Sequence, residues 1–391
     1  MSQNFSIGKR KIGTGHPCYI IAEVSCNHEG DINEAKSIIK SAADAGADAV
    51  KIQTYTADTI TRNFDTRATG TIWSDIDLHK LYAKAHTPWE WSLNLKEYAE
   101  KQGLVLFSSP FDETAVDFLV DEVKVPALKV ASFEVVDTML LAKMAKTGLP
   151  VIMSNGMTDF LEMDEAVRVL RANGCNDLAL LHCNSGYPAA FAEANLKTMQ
   201  ALAQIYNVPV GVSDHTLFAD HENYKNPMAH ITPLEAVRLG GCMVEVHLTT
   251  DRTKARTLFE KNEGGFDWPF SMEPAEFKKM VDMIRSFEKN GHVDYDTAEE
   301  KEIAQLTHGE INFTPTEKEM ASRNARPSLW IVQDIQKGET MRFAAENKEN
   351  GNFDSIRPAG GIHIRFTEFI EGKQAARDIK AGEPLVWDMV E

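Results

Sequence analysis

The sequence predicts a closed (β/α)8 TIM barrel followed by a small, mostly β domain. Three observations predict it. Between residues 19 and 288, short apolar runs alternate with amphipathic segments of helical period, the pattern of a parallel sheet whose strands are covered on both faces. Eight such units follow one another, which favours closure over an open sheet. Nearly every apolar run ends on a polar side chain, and in such barrels the strand ends form the active face.

Tyr19-Ile20-Ile21-Ala22-Glu23-Val24 is the first run. A helix from about Asn33 to Ala45 follows it, capped by Asp31, with Ala35, Ile38, Ile39 and Ala42 on one face and Gly46 as the stop. Ala49-Val50-Lys51-Ile52-Gln53 is the second run and Val105-Leu106-Phe107-Ser108-Ser109 the third, with a helix from about Glu113. Ala127-Leu128-Lys129-Val130, Pro150-Val151-Ile152-Met153-Ser154 and Leu178-Ala179-Leu180-Leu181-His182-Cys183 come next. Their helices are expected near Met139–Lys146, Met163–Asn173 and Asn195–Ile205. Val208-Pro209-Val210-Gly211-Val212 and Met243-Val244 complete the eight and lead to His215 and His247, with helices near Leu234–Leu239 and Pro274–Glu288.

Three segments break the repeat: Tyr55–Trp91, 218–232 after His215, and 250–269 after His247. Long loops at the active face are expected to act as lids or specificity elements. The barrel is assigned to residues 1–288, an acidic linker with some helix to 289–322, and the β domain to 323–391. In that domain Asp334-Ile335-Gln336-Lys337-Gly338-Glu339 and Asp378-Ile379-Lys380-Ala381-Gly382-Glu383 are near-duplicates, which predicts an internal pseudo-symmetry.

The net charge of −17 argues against nucleic acid or an anionic membrane as partner. A few focused lysines can still receive a small anion. No basic-then-apolar leader stands at the N-terminus and no apolar run is long enough to span a bilayer. The five cysteines are scattered without metal-type spacing, and they are expected to be buried thiols in a reducing, cytoplasmic setting.

The strand-end rule selects Glu23, Lys51, Gln53, Ser109, Lys129, Ser132, Glu134, Ser154, Ser185, Ser213, His215 and His247. His215 and His247 stand on successive strand ends, so the two imidazoles can share a divalent metal. With oxygen donors to complete the shell, Mn²⁺ or Mg²⁺ suits the pair better than structural zinc. Two hydrogen-bonded histidines without metal are the alternative. Lys51 and Lys129, beside Ser132, Ser154 and Ser213, make a phosphate cradle; surface lysines or a Schiff-base nucleophile are the other readings. Glu23 and Glu134 can bind metal, position a hydroxyl or move a proton, or can simply pair with a lysine.

Ile21–Gly30, Val50-Lys51-Ile52-Gln53, Lys129–Glu134, Ser154-Asn155-Gly156-Met157, Tyr187-Pro188, Ser213-Asp214-His215-Thr216 and Phe270-Ser271-Met272-Glu273-Pro274 together resemble the sialic acid synthase family. The tail resembles its SAF (antifreeze-like) domain. The resemblance implies condensation of phosphoenolpyruvate with the open-chain aldehyde of an N-acylated amino sugar, giving a nine-carbon 2-keto acid and phosphate. It implies that His215 and His247 hold Mn²⁺ or Mg²⁺, and that Lys51, Lys129, Ser132, Ser154 and Ser213 hold phosphoenolpyruvate. Gln53, Ser109, Ser185 and Tyr187 join the substrate-binding set, and Glu23 and Glu134 contact substrate or assist proton transfer. Asp267 would touch the sugar. The resemblance also implies a homodimer whose tail domains cap the partner's barrel and offer an arginine to the acyl group, with Arg323 and Arg326 as candidates. Ala131-Ser132-Phe133-Glu134 and Asn184–Ala189 look like the pseudaminic acid branch; the N-acetylneuraminate branch, with N-acetylmannosamine as acceptor, is the alternative. Val246 stands where the family usually has lysine, and the loops after His215 and His247 are longer than typical. A Schiff-base aldolase using Lys129 and a catalytically silent carbohydrate-binding barrel are the competing classes.

Overall fold

Eight parallel strands close on themselves in the computed structural model, which describes residues 4–67, 69–74, 76–216, 228–344 and 350–391. An antiparallel hairpin of β1 (Phe5–Ile7) and β2 (Arg10–Ile12) precedes them. The barrel strands are β3 (Tyr19–Glu23), β4 (Ala49–Thr54), β5 (Val105–Pro110), β6 (Leu128–Val130), β7 (Val151–Ser154), β8 (Leu178–Cys183), β9 (Val210–Asp214) and β10 (Met243–His247). Closure comes from β10 pairing with β3, with His247 opposite Glu23. These strands are buried along nearly their whole length, as their continuous apolar runs require.

The helices fall close to their expected places. Ile32–Ala45 starts at Asp31, whose side chain accepts from the Asn33 amide, and stops at Gly46 with φ 92°; glycine enters that left-handed region without a Cβ penalty. Thr138–Lys146, Phe160–Ala172, Lys197–Tyr206, Ile231–Arg238 and Pro274–Asn290 complete the main set. After Glu113–Asp117 the chain continues as a wider π turn over Phe118–Val123. All five cysteines are buried and free. Among the described residues, no helix is long and apolar enough to cross a membrane.

The 289–322 segment is docked rather than a free tether. Its helix Ala298–His308 lies against the barrel, where His308 and Tyr295 both reach Glu235, at 2.6 Å each. A second helix, Glu317–Ser322, runs to the barrel mouth. The tail domain has its own core around Leu329, Ile331, Phe353 and Leu385, and pairs β11 (Ser328–Ile331) with β12 (Phe353–Ile356). Its expected pseudo-symmetry is present. Ile335 and Ile379 exchange backbone bonds, the Lys337 amide donates to Asp378, and the Ala381 amide donates to Asp334.

In the single chain the tail domain covers its own barrel mouth. The Arg357 amide donates to the Ile60 carbonyl at 3.0 Å, Thr61 Oγ1 donates to the Arg357 carbonyl at 2.6 Å, and Ser355 Oγ donates to Asp137 at 2.7 Å.

Candidate active site

The strand register puts a charged cluster at the bottom of the mouth. Glu23 and Lys51 are register partners and their side chains meet at 2.7 Å. Gln53 donates to Glu23 and to Ser25, at 2.9 Å each. Lys129, on β6, donates to Ser154 Oγ at 2.7 Å. Between the lysines sits Glu245: its Oε1 is 3.6 Å from both Nζ atoms and accepts from Ser213 at 3.0 Å. Its Oε2 is buried without a hydrogen-bond partner among the described residues, an acceptor left for a donor that enters the cavity.

The two lysines differ electrostatically. Burial opposes the charge on each. At Lys51 the carboxylates Glu23 and Glu245 outweigh burial and hold its pKa above the usual lysine value. At Lys129 burial wins, Glu245 offsetting it only in part and Lys51 adding repulsion, so its pKa is lowered. An incoming anion would favour the charged form of Lys129.

His215 and His247 face each other with ring centroids 5.2 Å apart, and Phe270 lies edge-on to both. Burial and the neighbouring His247 lower the His215 pKa to about 3, so it is a neutral imidazole. Its Nδ1 lies 3.3 Å from Cys183 Sγ. His247 Nδ1 lies 3.1 Å from Asp267, whose pKa is held low against burial by that histidine. No group of three or more His, Cys, Asp or Glu side chains among the described residues could hold a metal by itself. The donor set fits an open site, in which two imidazoles leave the remaining positions to water and substrate oxygens. Cys183 and Asp267 orient the two rings.

Above this polar floor the cavity is walled by hydrocarbon and rings. Tyr55, Trp73, Leu78, Leu81, Tyr82 and Phe111 line it, so the expected cover from Tyr55–Trp91 is in place. Phe266 and Asp267 bring in the segment after His247, of which Arg252–Glu260 is a helix. Most of the segment after His215, residues 217–227, lies outside the described residues. Tyr187 stacks on Phe133 at 5.8 Å and tilts against His215 at 4.6 Å.

The structure gathers Lys51, Gln53, Lys129, Ser132, Ser154, Tyr187, Ser213, His215, His247 and Asp267 around one cavity. The other expected residues lie around it in the single chain as follows. Ser109 lies behind Lys51, 3.3 Å away, and Ser185 is buried beneath the wall; neither lines the cavity. Glu23 and Glu134 are also absent from the lining, each engaged by a cation. Glu134 is paired not with a lysine but with Arg357. Burial raises the Glu134 pKa against that pull, while the pair keeps Arg357 above the usual arginine value despite burial. Arg323 and Arg326 point away from the cavity. Both ion-pair with Glu162, at the start of helix Phe160–Ala172. The arginine that the tail domain brings to the mouth is Arg357. It lies 4.5 Å from the Phe133 ring centre and donates to Tyr82 OH at 2.7 Å.

Sequence reasoning missed Arg357, Cys183 and Glu245 as site residues. Glu245 had a signal: alternation along a strand places it on the same face as His247. Arg357 had none, because nothing local to Ile356-Arg357-Pro358 marks the barrel it meets.

The mouth of this parallel barrel sets two buried lysines beside two imidazoles, a site suited to a small anion. A model of the NeuB family matches residues 38–293. The chain is 35% identical over 378 residues to the pseudaminic acid synthase of Helicobacter pylori, covering 96% of this chain and 98% of that one. It is 32% identical over 398 residues to the N,N'-diacetyllegionaminic acid synthase of Legionella pneumophila, covering 98% of each. The crystal structure of the spore coat polysaccharide biosynthesis protein spsE from Bacillus subtilis is similar with a TM-score of 0.77 and 30% identity, covering 100% of this chain and 99% of that one. The chain belongs to the NeuB family, the sialic acid synthases.

Proposed function

We propose that the protein condenses phosphoenolpyruvate with an N-acylated, deoxygenated amino sugar aldehyde, as a nonulosonic acid synthase of the pseudaminic type. One observation carries this reading: the Lys51–Lys129 pair and the His215–His247 pair share a single cavity whose outer wall is apolar. The lysines, with Ser132, Ser154 and Ser213, hold the phosphate and carboxylate of phosphoenolpyruvate. The sugar lies above, its aldehyde toward His215 and His247 and its far end against Tyr55, Leu78, Leu81 and Phe266. A wall of that kind suits a methyl group and acyl chains better than a run of hydroxyls. Arg357 offers the acyl oxygen a buried donor.

In the reaction C3 of phosphoenolpyruvate bonds to the aldehyde carbon, whose oxygen gains a proton. Water adds its oxygen at C2, and the C2–O bond to phosphate breaks. Mn²⁺ or Mg²⁺ held by His215 and His247 would supply a Lewis-acid pull on the aldehyde oxygen. Glu245 Oε2 is placed to accept a proton from entering water, and Lys129 to hold the departing phosphate. A Schiff base at Lys129 is disfavoured, because a bound phosphate keeps that amine protonated.

The homodimer and the exchange of tail domains between partners belong to this proposal, as does a cytoplasmic location. The test is phosphate release from phosphoenolpyruvate with Mn²⁺, with and without chelator. Release is expected with 2,4-diacetamido-2,4,6-trideoxyaltrose and to be lost with chelator. Release with N-acetylmannosamine alone would move the chain to the neuraminate branch, and release with neither sugar would overturn the reading.

A further inference from the structure

Two cavity loops take a backbone conformation that side chains with a Cβ disfavour. After β7, Met157 has φ 52°; after β8, Tyr187 has φ 29°. The loops also come unusually close. A Cβ added at Gly156 would collide with Ser185 Oγ and fall 2.9 Å from Ser132 Oγ, so only glycine lets the loops nest here. Asn155 Oδ1 ties them once by accepting from the Cys183 amide at 3.0 Å.

The rest of the restraint comes from outside the barrel. Glu319 lies in helix Glu317–Ser322 of the connecting segment. Its Oε1 accepts from the Met157 amide and from the Ser185 amide, at 2.9 Å each. Ser322 Oγ donates to the Ser185 carbonyl at 2.8 Å, and Arg326 donates to the Met157 carbonyl. Both backbone polar groups of Met157 and both of Ser185 are therefore held from outside the barrel, three by the connecting segment and the Met157 carbonyl by Arg326 at the start of the tail domain. Glu319 Oε2 is itself fixed, accepting from the Thr316 amide at 2.9 Å in a capping box. Glu319, Ser322 and Arg326 are all buried.

We infer that Glu319, seconded by Ser322, is a positioning residue for the phosphoenolpyruvate half of the site, and that the connecting segment is a brace rather than a linker. The brace fixes the loop that follows Ser154, the partner of Lys129, and the loop that carries Tyr187 against His215. A carboxylate suits the task because one oxygen can take two amides at once. This inference rests on the proposed reaction for its substrate, but the brace itself does not.

The experiment compares wild type with E319A, E319Q and S322A. E319A is expected to raise KM for phosphoenolpyruvate about tenfold or more, the size of a lost charge-assisted hydrogen bond, with KM for the sugar within about twofold. E319Q, whose amide oxygen still accepts, should recover much of the loss; S322A should shift the same way by less. Hydrogen exchange gives a readout without turnover: the Met157 and Ser185 amides should be slow in wild type and fast in E319A. Equal changes in both KM values, or none, would remove the positioning role. Unchanged exchange of those amides in E319A would remove the brace. If E319A does not fold, the KM split in S322A decides. A wild type that releases no phosphate would sink the reaction, and exchange would still judge the brace.

Discussion

The inner and outer halves of the cavity are built by different means. The inner half consists of strand-end side chains: Lys51, Lys129, Ser154, Ser213, Glu245, His215 and His247 lie on or just beyond β4, β6, β7, β9 and β10. A closed barrel fixes their separations through its hydrogen-bond register. The outer half comes from insertions and from the tail domain, namely Tyr55, Leu78, Tyr82, Phe266 and Arg357. These side chains meet only because separate segments pack together. The first half is suited to chemistry that does not vary, the second to a choice of acceptor.

Breaking the inner half should cost most. K129M removes a buried cation from Ser154 and Glu245 and leaves that carboxylate with Lys51 alone. The expected loss in kcat/KM is about 10³-fold or more, as for removal of a charge aimed at the reacting anion. Steady-state phosphate release measures it, and a loss under tenfold would mean that Lys129 does not hold the phosphate.

R357A should damage the outer half selectively. KM for the sugar is expected to rise about 10- to 100-fold, the range for a buried charged hydrogen bond, while KM for phosphoenolpyruvate stays nearly constant. Glu134 would lose its ion-pair partner, so a lower melting temperature should accompany the change. Mixing R357A with inactive H215A, at a sugar concentration too low for R357A to turn over alone, sharpens the point. Recovered activity would mean that Arg357 serves the partner's barrel; no recovery would keep it over its own, as in the single chain.

The smallest effect concerns the loop that delivers Asp267. Glu29 holds the Gly265 amide with both oxygens, at 3.0 and 2.9 Å. Burial raises its pKa to about 7, the Gly265 bond opposing only in part. The folded chain thus binds this proton more tightly than the unfolded one. The stability it contributes is complete below the unfolded carboxyl pKa and is lost as pH rises through about 7. E29Q carries no titrating group there. Its melting temperature relative to wild type should rise between acidic and mildly alkaline buffer, and a pH-independent difference would contradict the assignment.

Much of the inner half was legible because a strand end is a local property. An apolar run followed by Lys51, Lys129, Ser154 or His247 announces a side chain at the barrel rim without any knowledge of its neighbours. Glu23 and Glu134 were found by the same rule, yet their ion-pair partners were legible only for Glu23, whose Lys51 stands on the adjacent strand. Ser185 and Ser109 show the limit of the rule: proximity to a strand end does not say which way a side chain faces. In the single chain Arg323 and Arg326 pair with Glu162 of a distant helix, a contact the sequence does not announce because residues near a domain junction carry no periodic signal.

The sequence by itself determined the barrel, the order of its strands, the separate β domain with its duplicated turns, and the polar side chains of the rim. Those properties follow from hydrophobic period, caps and turns, which act over a few residues. Only the tertiary structure decided that Arg357 enters the cavity, that Glu245 joins two lysines, that the apolar wall is assembled from separate insertions, and that Glu319 clamps two loops from the connecting segment. Each of these is a contact between segments far apart in the chain, and a pairwise contact of that kind leaves no periodic trace in either partner.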